Sequence, residues 1–109
     1  MTNEAFQKLF DKLKDEVIQL AMTTFNQYKN EAKTDALSLL GEIEANLKTW
    51  TLQLAGGQLS TKDFEFLVLA QKELVEMNAL KQAGLALIKA DEFKNSLLNL
   101  ITKTVVGLV

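Results

Sequence analysis

From Phe6 to Leu54 an apolar side chain recurs at every third or fourth position without a miss: Phe6, Phe10, Leu13, Val17, Ala21, Phe25, Tyr28, Ala32, Ala36, Leu39, Ile43, Leu47, Trp50 and Leu54. The mean step is about 3.7 residues, close to the α-helical period and above the roughly 3.5 of a left-handed coiled coil. This spacing predicts one straight helix over residues 3–54, roughly 78 Å long at about 1.5 Å per residue. No proline occurs in the chain to break it. Gly41 is the one weak point, costing about 1 kcal/mol relative to alanine.

Punctuation follows at Ala55-Gly56-Gly57-Gln58-Leu59-Ser60. Glycine just past the last periodic residue is the expected stop, because it adopts a left-handed backbone at low steric cost. Ser60 stands three before Asp63, a capping pattern that marks Ser60 as the next N-cap. Gly56, Gly57 and Ser60 therefore define a tight turn between antiparallel helices.

Beyond the turn, residues 61–108 show no comparable break. A second helix of nearly equal length makes an all-α, two-helix antiparallel hairpin, a single domain spanning residues 1–109. Softer interruptions lie at Gly84 and around Lys89-Ala90-Asp91-Glu92, where Asp91 could start a new helix. A three-helix form bent near 89–92 is the structural alternative.

More than half of residues 61–109 are apolar, against fewer than half of residues 3–54, and they are less cleanly striped. Phe64, Phe66, Leu67, Val68 and Leu69 surround one acid, Glu65. Leu97, Leu98, Leu100, Ile101, Val105, Val106 and Leu108 surround one charge, Lys103. Helices apolar around most of their girth are covered on several sides, whereas one partner helix covers one stripe. Leaving half a dozen such residues in water forfeits on the order of 10 kcal/mol, comparable to the stability of a small domain. Homo-oligomerisation into a four-helix bundle, with a dimer favoured, is the simplest remedy. These twelve residues are the expected oligomer interface.

Antiparallel pairing across the turn opposes residues whose numbers add to about 115. Ala32 then meets Ala83, and Ala36 meets Ala79. Small side chains allow interaxial distances at the low end of the usual 8–10 Å, so the closest helix approach is expected there.

Composition limits the chemistry. All twelve basic residues are lysine; arginine, histidine, cysteine and proline are absent. Without thiolate or imidazole, zinc, copper, haem and iron–sulfur sites lose their usual anchors, and the commonest neutral-pH base is missing. A net charge of −2 with mixed signs offers no basic stripe for nucleic acid. Asp11, Asp15 and Glu16 interrupt any apolar leader in Met1–Gln19, and apolar runs fall short of the roughly 20 residues that span a bilayer. A cytoplasmic protein is expected.

Individual candidates point the same way. Trp50, one turn before the glycines, suits a ring sealing the hairpin end. In length and mid-chain turn the chain is similar to helical secretion substrates of the Trp-X-Gly family, but Leu52 stands where glycine would follow Trp50. Glu42/Glu44, Glu73/Glu76 and Asp91/Glu92 lack the histidine of di-iron bundles and the shaped loop of calcium sites. They suit solvated faces, with Glu4/Lys8 and Glu44/Lys48 as pairs four apart. Ser38, Ser60 and Ser96 have no histidine to activate them, and Gly56-Gly57 matches no phosphate-binding loop. No catalytic, cofactor or metal site is expected.

The expected role is a non-enzymatic structural or interaction protein that oligomerises and binds a protein partner. The alternative is a membrane-active or exported helical-hairpin protein inserting Asn95–Val109. That segment carries Lys103 alone, where interfacial helices carry several basic residues. Burial in an oligomer core suits it better.

Overall fold

A computed structural model describes residues 1–109, and every regular element in it is helical. In chain order these are α1 (Asn3–Thr24), α2 (Lys29–Ala55), α3 (Thr61–Ala70), a 3-10 turn at Gln71–Glu73, α4 (Asn78–Gln82) and α5 (Leu87–Leu108).

Local chemistry explains the ends. Thr2 caps α1, its hydroxyl accepting from the Ala5 N–H at 3.0 Å. At the far end the Thr23 and Thr24 hydroxyls donate back to the Gln19 and Leu20 carbonyls of the preceding turn at 2.9 and 2.6 Å, side-chain bonds that compete with continued helix. Phe25 is then extended, and the chain reverses through Phe25–Tyr28. The second reversal uses glycine: Gly56 ends α2, Gly57 has φ +79°, and the Ser60 hydroxyl accepts from the Asp63 N–H at 3.0 Å.

Cross-chain contacts fix the topology. The Phe25 ring meets Phe93 edge-on at 5.2 Å, while the Thr104 hydroxyl donates to Glu16 at 3.0 Å, so α5 runs antiparallel to α1. Asp35 on α2 bonds the amides of Ala79 and Leu80, so α4 continues the upward course of α3 beside α2. The result is an up-down-up-down helical bundle whose third rod is the broken α3–α4. It measures 43 × 23 × 19 Å.

One apolar cluster of 23 buried residues fills the middle. Phe6, Phe10, Leu13 and Val17 come from α1, Leu39, Leu40, Ile43 and Leu47 from α2, and Phe64 and Val68 from α3. Leu80 on α4 and Phe93, Leu97, Leu98, Ile101 and Val105 on α5 close it.

Two expectations are corrected. The stripe over residues 3–54 is two helices, not one, because the chain reverses at 25–28 while Phe25 and Tyr28 still pack against the core. The second helix is also not continuous: it stops at Ala70 and resumes at Leu87. Of the two softer interruptions expected, the one at Gly84 is present, with φ +99°, and the one at 89–92 is not: α5 runs unbroken through it, so Asp91 caps nothing. The hairpin becomes four rods, which place four-helix packing within a single chain.

Phe64 and Phe66 stand two apart on α3 yet are 0% and 72% exposed. Phe64→Ala should lower the unfolding free energy by about 3–5 kcal/mol in denaturant titration, and Phe66→Ala should stay within about 0.5 kcal/mol of the parent.

Candidate functional site

The carboxylate pairs are spread over the surface. Glu42, Glu44, Glu73, Glu76 and Glu92 are exposed and Asp91 is half-buried. Their cation contacts are loose: Glu76 to Lys81 at 3.9 Å, Glu92 to Lys89 and Asp91 to Lys94 each at 3.8 Å. Of these, the Glu92–Lys89 pair is well exposed on both sides and contributes little. No three acidic side chains gather into a metal-binding group.

The hydroxyls are similarly placed. Ser60 is an N-cap, Ser96 donates to the Glu92 carbonyl at 3.0 Å, and Ser38 is exposed. Thr51 is fully buried with no hydrogen-bond partner, and one Glu16 oxygen is also buried and unpartnered. Trp50 is half-buried against the core, six residues before Gly56.

The twelve residues expected at an oligomer interface separate into three groups. Phe64, Val68, Leu97, Leu98, Ile101 and Val105 lie in the chain's own core. Leu67, Leu69, Leu100 and Val106 are half-buried. Phe66 and Leu108 are exposed, at 72% and 53%. Most of the girth that called for a second subunit is thus covered by the other rods. Among the small residues, Ala32 and Ala36 are fully buried, Ala79 is half-buried, and Ala83 is exposed at the end of α4.

One surface region combines unsatisfied apolar area with nearby charge. Phe66, Leu69 and Ala70 line a shallow hollow with Lys72 and Glu73 on the 3-10 turn. Lys72 and Glu73 also border a polar hollow completed by Asp91, Lys94 and Asn95 of α5. The result is an apolar patch edged by mixed charge at the break of the third rod. Further exposed apolar residues flank the break, Leu74 at 72%, Leu87 at 59% and Ile88 at 67%. No helix is long and apolar enough to cross a membrane.

Spacing alone treats Phe66 as one of a general apolar girth and passes over Asp35 and Lys94. Asp35 had a signal: it lies three after Ala32 and four before Leu39, which puts a carboxylate on the buried face of α2. Lys94 had none, since its partners are backbone carbonyls far away in sequence.

No protein family, curated protein or solved structure matches the chain.

Thr51 gives a direct check on the closed core. Thr51→Val removes a buried hydroxyl that has no partner while keeping its shape, and should raise stability by about 1 kcal/mol in thermal or denaturant unfolding.

Proposed function

We propose that the chain is a non-enzymatic helical interaction protein that offers the α3 edge around Phe66 to another protein. Self-association, with a homodimer as the simplest form, would use the same edge. One observation carries this reading. Of six phenylalanines, Phe6, Phe10, Phe64 and Phe93 are buried and Phe25 is half-buried, whereas Phe66 is 72% exposed.

Aromatic side chains are enriched among the few residues that dominate binding energy. Phe66, Leu69 and Ala70 form a small apolar patch, three residues against the roughly 20–30 a side of a standard stable interface. A reversible contact follows from that size. Several polar side chains serve the fold: Ser60 caps a helix, Ser96 bonds its own backbone, and Lys94 and Asp35 bond main-chain groups.

Size-exclusion chromatography with light scattering, run from micromolar to millimolar protein, tests the self-association. The parent mass should rise from 12.2 kDa toward twice that value with concentration, and Phe66→Ser should hold it at the monomer. A parent that stays monomeric throughout, or a Phe66→Ser variant that associates equally, removes self-association through this edge.

A further inference from the structure

Residues 71–86, between α3 and α5, are built differently from the rest of the bundle. They contain one 3-10 turn, an irregular stretch at 74–77, the five-residue α4 and a reversal at Gly84 with φ +99°. Their backbone hydrogen bonds are local: Leu74 to Gln71, Lys81 to Met77, Ala83 to Ala79, Gly84 to Lys81 and Leu85 to Leu80. A five-residue helix has no stability of its own, because nucleation is unfavourable and propagation has barely begun. Something else orders it.

Two charged side chains from neighbouring rods supply that order. Asp35 of α2, 3% exposed, accepts the Ala79 N–H at 2.9 Å with one carboxylate oxygen and the Leu80 N–H at 2.8 Å with the other. No lysine pairs with it, so these amides at the start of α4 are the partners that stabilise its buried charge. From the opposite side, the Lys94 ammonium of α5 donates to the Lys72 carbonyl at 2.8 Å and the Val75 carbonyl at 3.0 Å. Beneath, Val75, Met77 and Leu80 insert into the core.

We infer that residues 71–86 form a strap that opens as a unit while α1, α2 and the body of α5 remain folded, with Asp35 and Lys94 as its two latches. Opening breaks the four charge-assisted bonds together and rehydrates the Asp35 carboxylate, which offsets part of the loss. It uncovers Val75, Met77 and Leu80 and enlarges the apolar surface at the break of the third rod. The strap does not depend on the role proposed for Phe66.

Native-state amide hydrogen exchange on the full chain, followed by NMR at fixed pH, tests this directly. In the parent, the amides of Lys81, Ala83 and Leu85 should exchange at least about tenfold faster than those of Leu13, Val17 and Ile43. Asp35→Asn and, separately, Lys94→Gln should each accelerate the strap amides by about ten- to hundredfold and those core amides by less than about threefold. Lys94→Gln carries the test if Asp35→Asn fails to fold, since the Lys94 side chain lies nearer the surface, 13% exposed. Equal strap and core rates in the parent, parallel acceleration of both in the variants, or strap rates unmoved by Lys94→Gln would each overturn the strap.

Discussion

Helix α5 sets the terms for everything else, because it is apolar over too much of its circumference to be shielded from one side. Leu97 and Leu98 are adjacent and both fully buried, so they must face different neighbours, and Ile101, Thr102 and Val105 extend both stripes. The chain satisfies this by packing α5 chiefly against α1 and α3, with the 3-10 turn, α2 and α4 touching it more lightly. Folding back three times costs loop entropy only weakly dependent on length, while it places most of the large apolar side chains in one contiguous core.

The third rod of that packing is broken. An unbroken α3 would have to match α2 and α5 in side-chain fit along its whole length. Instead it stops at Ala70, and Val75, Met77 and Leu80 reach the core from an irregular path and a short helix. The backbone groups left open by the break are met by Asp35 and Lys94. Polar side chains withdrawn from water are costly unless bonded. Here their bonds position a segment that has no regular ladder of its own.

What was legible in the sequence was local. Helix content follows from the 3.6-residue spacing, and the reversal at 56–60 follows from two glycines and a serine cap. The reversal at 25–28 left the spacing undisturbed: Phe25 and Tyr28 arrive in phase, pack against the core, and need no glycine or proline, since no residue between them takes a positive φ. Thr23 and Thr24, β-branched and able to bond the preceding turn, were the available sign. Gly84 marked the far end of the break at 71–86, where φ is +99°, but its start after Ala70 could not be found by periodicity, because Asp35 acts on the segment across 44 residues of chain. Phe64 and Phe66 show the same limit at the candidate site. Both belong to one apolar run, and only the direction from which α5 and α2 cover α3 decides that the first is core and the second is surface.

Whether one chain covers its own apolar girth is the claim on which the rest stands, and overall shape reports on it. Small-angle X-ray scattering from dilute, monodisperse protein should give a compact particle with a maximum dimension near the 43 Å long axis and a radius of gyration near 13.8 Å, raised slightly by side chains and hydration. A rod approaching the roughly 78 Å of an unbroken 52-residue helix would contradict the four-rod bundle and restore a long hairpin that needs a second copy to be covered.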